Sequence, residues 1–504
     1  MPREPRQEPS PYAWYLLCVL VLAYVLNYID RQLLTILAPE LKRDLGISDA
    51  DFGFLYGTAF GVFYAVFGIP LGRLADRRSR VRLLALGLAL WSAMTALSGL
   101  SRNFGQLAAT RIGVGIGEAS AAPCAFSLIG DCFPPHRRAT ALGIYSTGLF
   151  VGGGVSLFLG SLIVRQWNAA FAGGGAPFEL AGWQAAFILI GLPGLLLALG
   201  IATLREPARG LFDPDEADVP AALHPWRGLL HDLGEVIPPF TLLAAARRGP
   251  RPLVAHALAG LVIAACAAIL VRATGDVPQW LALGLGAYAV MSWITATRHA
   301  DPGAFAVLGS RTFVSLTVAY GLFTFIALAN IAFAPLYAIE NLGADPVAAG
   351  LSIGSIGGLG GAGGVILGGL LADRLARSAG HRARVAVTVA GVLATTVCHT
   401  VMYGGVPLPM FYAMVFAVQL GNSLVLVGAS GAMLNLVPPQ LRGTASAAFL
   451  LGGNMLGSAL GPYFAGRMSM LLGDLGLGML AVLAVAPPLL VALAIAYREP
   501  RWTD

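Results

Sequence analysis

The chain has 504 residues, of which 57% are hydrophobic and 12% charged, with a formal net charge of +6. Soluble domains carry about 25% charged residues, so this composition excludes a soluble enzyme and gives no reason to expect a nucleic-acid partner; it describes a chain that lives in a lipid bilayer. Long apolar runs between short charged loops make it a helical bundle, because a helix satisfies its own backbone hydrogen bonds in hydrocarbon.

Residues 1–12, with Pro2, Pro5, Pro9 and Pro11, read as a cytoplasmic tail. No small-residue cleavage site follows the first apolar run, which is therefore expected to stay as a helix. That run, 13–38, exceeds the roughly 20 residues needed to cross a bilayer and contains Asn27-Tyr28-Ile29-Asp30-Arg31. A charge at a helix centre costs about 2.5–3.5 kcal/mol on an insertion scale, whereas each Leu, Val or Ile returns only about 0.3–0.6 kcal/mol. Asp30 and Arg31 therefore mark function. On a helix Tyr24, Asn27, Tyr28 and Arg31 share one face, with Asp30 about 100° from Arg31 and so expected to serve different neighbours.

The second run, 52–71, ends in Gly72-Arg73-Leu74-Ala75-Asp76-Arg77, with Arg80 following. The third lies at 81–100. The fourth, 104–132, carries Arg111 and Glu118, seven residues apart on one face and about 10 Å apart along the axis. Runs at 139–164 and 183–204 complete an N-terminal six-helix half over 13–204; the fifth holds Gly143, Gly148 and Gly152-Gly153-Gly154. A cytoplasmic linker, 205–252, with room for a surface helix, leads to two inserted hydrophobic helices within 253–298. Runs at 311–339, 346–372, 383–402, 407–436, 443–466 and 474–497 form a C-terminal six-helix half over 311–497. That predicts about fourteen transmembrane helices. With the N-terminus inside, 24 basic residues fall on the cytoplasmic side and 6 on the outer side, the bias of the positive-inside rule, with both termini cytoplasmic.

The five cysteines show no metal or redox spacing, so no metal or cofactor is expected. The C-terminal half offers His399, Asn330, Tyr337, Gln419, Asn422, Asn435, Asn454 and Tyr463 among apolar side chains, candidates for interhelical hydrogen bonds.

Gly72…Asp76-Arg77 returns as Gly369…Asp373-Arg374, and Pro134-Pro135-His136-Arg137-Arg138 as Pro438-Pro439-Gln440-Leu441-Arg442. Each half thus repeats its signals after its second and fourth spans. Parallel six-span repeats resemble the major facilitator superfamily of transporters, which implies its all-α polytopic fold. The loop Gly72…Asp76-Arg77…Arg80 resembles the G-x-x-x-D-R-x-x-R motif of that superfamily, which implies a cytoplasmic gate made by Gly72, Asp76, Arg77 and Arg80, with Asp373 in the second copy. The glycines of the fifth span and their late counterparts resemble an exporter signature and read equally well as close helix packing.

N-Y-x-D-R in the first span, the G-R-L-A-D-R loop, R-x-G-x-G-x-G-E-A in the fourth span and F-P-P-x-x-R-A-x-A-x-G after it are similar to the Spinster family. That resemblance implies a proton-coupled transporter of an amphipathic lipid, such as a lysophospholipid or a sphingoid-like lipid, or of a related organic anion. It implies a central charged site made of Asp30, Arg31, Arg111 and Glu118; Glu118, nearest mid-membrane, is the first choice of proton carrier and Asp30 the second, with Arg31, Arg111, Asn27, Tyr24 and Tyr28 expected at the charged cavity. The residues alone agree, since two acids and two bases sum to zero charge, which limits the burial cost when they are close. Arg111 is expected to pair with one acid while the other faces the cavity. A carboxyl in apolar surroundings is disfavoured as the anion, which suits a group that takes up and releases a proton. The alternative is a proton-driven multidrug or hydrophobic-metabolite exporter. The remaining expectations are a monomer in a bacterial cytoplasmic membrane, with protons, the lipid bilayer and a small molecule as partners and no enzymatic reaction.

Overall fold

The computed structural model describes residues 8–209, 211–212, 233–234, 237, 240–300, 302–379, 382–438 and 441–498. Most of the expected tail and much of the expected linker therefore lie outside the described residues. Among the described residues the secondary structure is helical. Thirteen helices among the described residues are long and apolar enough to cross a membrane. The chain divides into two compact units, Met1–Leu34 with Phe63–Gly234, and Thr35–Val62 with Glu235–Asp504.

Helix α1 (Pro11–Ile36) stops earlier than the apolar run does, and α2 (Ala38–Leu45) begins after one turn residue. Pro39 supplies the reason: it has no N–H to give the preceding turn and is tolerated in the first turn of a new helix. Next, α3 (Asp49–Gly53) is opened by a capping box between Ser48 and Asp51 and runs through a π turn, Phe54–Thr58, into α4 (Ala59–Arg77). Helices α5 (Arg80–Ser98), α6 (Phe104–Glu118), α7 (Ala121–Cys132), α8 (Pro135–Ala170) and α9 (Gly182–Ala202) follow. The fourth span is thus α6 and α7 joined through Ala119 and Ser120, with Glu118 at the joint.

Within the expected linker lies α10 (Phe240–Arg248), followed by the inserted pair α11 (Pro250–Thr274) and α12 (Val277–Ala300). Helix α10 is the expected surface helix; its Thr241 hydroxyl donates to Tyr288 of α12 at 3.1 Å. His256 of α11 is buried against α12, 3.1 Å from the Thr295 hydroxyl. Helix α13 (Pro302–Leu308) leads into α14 (Arg311–Glu340), α15 (Pro346–Ala379), α16 (Arg382–Met402) and α17 (Leu408–Leu436).

The expected run at 443–466 is not one helix. Helix α18 (Arg442–Gly452) enters a π turn at Gly453–Ser458, the chain breaks at Ala459–Leu460, and α19 (Gly461–Leu472) starts anew. Pro462 in the first turn of α19 cannot continue the preceding hydrogen-bond ladder. Helices α20 (Leu475–Ala481) and α21 (Ala486–Arg498) close the chain.

The internal repeat is visible within each unit. In the first, Tyr24 of α1 stacks on Tyr145 of α8 with ring centroids 4.4 Å apart. In the second, Tyr320 of α14 stacks on Phe449 of α18 at 4.3 Å. Glycines flank both stacks: a Cβ on Gly152 would lie 2.5 Å from the Val25 carbonyl oxygen, and one on Gly461 would lie 2.3 Å from the Phe325 carbonyl oxygen. These glycine runs let backbones approach at corresponding places in the two copies.

Candidate functional site

The charged residues of the first and fourth spans come together in the first unit. Asp30, Arg111 and Glu118 are 2%, 3% and 1% exposed, and Asn27 is buried with them. Arg31, Tyr24 and Tyr28 are half-buried on the same face of α1 as Asn27, as the helical spacing predicts. Tyr24 meets Tyr28 edge-on at 5.1 Å, so the aromatic wall runs from Tyr145 through Tyr24 to Tyr28. Asp30 turns to the third span, where Thr95 adjoins it, while Glu118 adjoins Asn27 and lies in the field of both Arg31 and Arg111. Both neighbouring charges of α1 thus lie in the field of Glu118, and Asp30 lies in that of Arg111 as well.

The expected pairing of Arg111 with a carboxylate is not formed. Its Nη1 donates to the main-chain carbonyl of Asp30 at 3.4 Å, and its guanidinium lies over the Phe187 ring, 5.6 Å from the centroid. Arg111 Nε and Nη2, Asp30 Oδ1 and Glu118 Oε1 have no hydrogen-bond partner among the described residues. Buried charged atoms left in that condition are costly, since about 1–3 kcal/mol is the usual penalty even for a neutral group. A cluster held together only to stabilise the bundle would satisfy them. Sequence reasoning missed Thr95, Tyr145 and Phe187; single Thr, Tyr and Phe residues in apolar runs are too common to signal a site.

The loop motif at the end of α4 divides. Gly72 faces Pro123, where a Cβ would sit in ordinary contact, and Asp76 is exposed. The side chains of Arg77 and Asp373 lie outside the described residues. Arg80, expected in the gate, is fully buried inside the first unit. It forms an ion pair and hydrogen bond with Asp131, donates to Glu206 Oε1 at 2.8 Å and to the Ser127 hydroxyl at 2.9 Å, and reaches the Pro207 carbonyl at 3.1 Å. Arg80 thus ties α5, α7 and the chain after α9 together. Burial would raise the Glu206 carboxyl, but hydrogen bonds from Arg80, Ser79 and the Val81 N–H outweigh it and hold the group below the usual carboxylate range.

A second polar assembly lies in the other unit, where the stretch between the first and second spans meets the discontinuous helix. Gly53 abuts Pro462, and a Cβ on Gly466 would lie 2.0 Å from the Asp49 carbonyl oxygen. The Ser469 hydroxyl donates to Asp49 Oδ2 at 2.7 Å. Lys42 Nζ lies 2.7 Å from Asp49 and 3.2 Å from Glu340. Burial works against its charge, but these two carboxylates outweigh burial and raise its pKa. The inserted helix α12 joins the same seam: Gln279 donates to the Ala459 carbonyl at 3.1 Å and accepts from the Thr58 hydroxyl at 2.6 Å. Tyr463 donates to Asp276 at 2.5 Å.

In the second unit the polar side chains pair mostly with one another or with main chain. Tyr403 donates to Asn330 at 2.8 Å, Asn422 to Gln419 at 2.7 Å, and His399, fully buried, meets the Met479 carbonyl at 2.9 Å. No group of His, Cys, Asp and Glu able to hold a metal occurs among the described residues.

Comparison with known proteins agrees with this architecture. The chain is 30% identical over 491 residues to an MFS-type efflux pump of Mycolicibacterium smegmatis strain ATCC 700084, covering 96% of this chain and 92% of that one. A probable L-galactonate transporter of Escherichia coli K12 is 33% identical over 184 residues, 36% of this chain and 37% of that protein. The crystal structure of a bacterial homologue of the human lysosomal transporter Spinster, inward-facing and unoccupied, superposes with a TM-score of 0.70 at 24% identity, over 97% of each chain. The pattern of the Major Facilitator Superfamily matches residues 20–462, and with the twofold helical repeat and the buried intramembrane charges already described, the chain belongs to that superfamily of membrane transporters.

Proposed function

We propose that the protein is a proton-coupled secondary transporter that moves an amphipathic lipid or a related organic anion by alternating access, with Glu118 and Asp30 carrying the proton. One observation supports this above the others: acids and bases share a buried cluster in which Asp30, Arg111 and Glu118 each keep charged atoms without a hydrogen-bond partner. Such atoms are ready to exchange a proton or receive a charged group. Arg111 and Arg31 supply the positive charge that an anionic head needs, and Tyr24 and Tyr28 supply an apolar face beside it. For alternating access the seam between 35–62 and α18–α19 is assigned as a contact that opens, and Gly72, Asp76, Arg77 and Asp373 are assigned to the cytoplasmic gate. Arg80 belongs there as a positioning residue.

A second reading, export of drugs or hydrophobic metabolites, is favoured by the full-length likeness to an efflux pump. Purified protein in liposomes, assayed with and without a pH gradient, separates the two. We expect a lysophospholipid to move in a gradient-dependent manner and a drug-like dye to move little. Glu118→Gln is expected to abolish the gradient dependence and Asp30→Asn to weaken it. Unchanged pH dependence in both variants would remove the proton assignment, and transport of dyes alone would replace the first reading with the second.

A further inference from the structure

The inserted helix α12 and helix α14 leave a groove between them, floored by α18 and the π turn that follows it. Its volume is about 670 Å³, within the roughly 300–1,000 Å³ of ligand sites. The walls are apolar, with Leu283, Val290 and Ile294 on one side, Val318 on the other, and Leu451 and Met455 beneath. Both α12 and α14 are long and apolar enough to lie in a bilayer, so the groove's surroundings are hydrocarbon and its natural filling is a chain of the same chemistry.

One end of the groove is different. Phe305 and Phe313 line it there, and the Arg298 guanidinium lies over the Phe305 ring, 5.5 Å from its centroid. Arg298 is four residues beyond Ile294 and Arg311 three before Val314, so each shares a helix face with a residue that lines the groove. Both arginines are exposed. The acidic residue between them in sequence, Asp301, lies outside the described residues.

We propose that this groove is a binding site for an anionic glycerophospholipid, with an acyl chain between α12 and α14 and the phosphate at Arg298 and Arg311. Charge complementarity selects the occupant. Two guanidinium groups at one end of an apolar slot suit a lipid that presents a net negative head there; a zwitterionic lipid brings a cationic amine to the same place. The site is separate from the Asp30–Glu118 cluster, lies in the other compact unit, and gives the inserted helices a ligand of their own.

The test uses the full chain in detergent after delipidation. Native mass spectrometry measures retention of dioleoylphosphatidylglycerol against dioleoylphosphatidylcholine. Quenching of Trp293, which lines the groove, by the brominated forms of each lipid reports location, with Trp293→Phe identifying its share of the signal. We expect the anionic lipid to bind more tightly. Arg298→Gln and Arg311→Gln should each lower its affinity about fivefold, as expected for a basic residue near an anionic head, and leave phosphatidylcholine unchanged. Ile294→Trp, at a partly exposed lining position, should weaken binding by filling the slot. Equal binding of the two lipids, a preference that survives the double Arg variant, or Trp293 quenching that ignores both the headgroup and Ile294→Trp overturns the proposal. So does displacement of the phospholipid by a drug-like dye at this site. None of these readouts depends on transport, so the site stands or falls apart from the proton mechanism.

Discussion

Arg80 shows what one buried charge commits a membrane protein to. Its guanidinium is sealed from solvent and holds Asp131, Glu206 and Ser127 together. Removing one partner of a buried ion pair costs about 3–5 kcal/mol, and Arg80→Met should fall near the lower end because Asp131 and Glu206 are 18% and 31% exposed and regain some hydration. A fall in melting temperature in detergent, with Arg78→Met as an exposed control, checks it. Glu206 adds a pH dependence. Its folded pKa lies below the ordinary value, so its contribution is fully present above about pH 4.3, the unperturbed Glu value, and is lost as the pH falls through the folded value. Glu206→Gln should lower the melting temperature at neutral pH and show less further loss on acidification than the unsubstituted chain. An identical acid profile in the two proteins would assign the effect elsewhere. Of the residues in the charged cluster, Asp30, Arg31, Arg111 and Glu118 were legible in the sequence because charge is rare in apolar runs. Thr95 and Phe187 were not, since only their place beside those charges distinguishes them.

At the level of elements, the inserted hairpin has a definite attachment. Gln279 of α12 satisfies Ala459, whose carbonyl is exposed by the break between α18 and α19, and also holds Thr58. Gln279→Leu removes both bonds but leaves the Thr58 hydroxyl donating to the Ala459 carbonyl at 2.5 Å, so the loss should be that of two ordinary hydrogen bonds, about 1–3 kcal/mol, seen as a lower melting temperature. Gln279→Glu, which buries a carboxylate oxygen against that carbonyl, should lose at least as much. Close backbone approach sets the same seam. Since a Cβ on Gly466 would lie 2.0 Å from main chain, Gly466→Val should wedge the seam open. Labelling of Ser469→Cys by a membrane-impermeant maleimide should then rise several-fold; unchanged labelling would mean that the seam accommodates the methyls. The break that Gln279 serves follows from Pro462, but the apolar pattern of 443–466 runs straight through it, so the run looked like an uninterrupted span.

For the whole molecule, the stretch 35–62 is continuous in sequence with the first unit and packs within the second. Asp49 and Ser469 meet there at 2.7 Å between side-chain oxygens, which places a pair of cysteines at those positions within reach of a short crosslinker. If transport requires this contact to part, Asp49→Cys with Ser469→Cys, joined by oxidation or a short dithiol-reactive reagent, should lose transport and regain it on reduction. Full transport by the crosslinked protein would show that the seam is static.

Composition, hydropathy and charge were enough to establish a helical membrane bundle, with thirteen of about fourteen expected spans found as long apolar helices among the described residues, because the bilayer imposes length, backbone satisfaction and loop charge on each segment separately. The repeated loop motifs gave the twofold organisation for the same reason, being local. Tertiary structure alone decided that Arg111 rests on the Asp30 main chain and the Phe187 ring, that Arg80 is an internal tie, and that the inserted helices reach the break before α19. Each of those depends on which distant side chain arrives within hydrogen-bonding range, and neither hydropathy nor spacing along one helix carries that information.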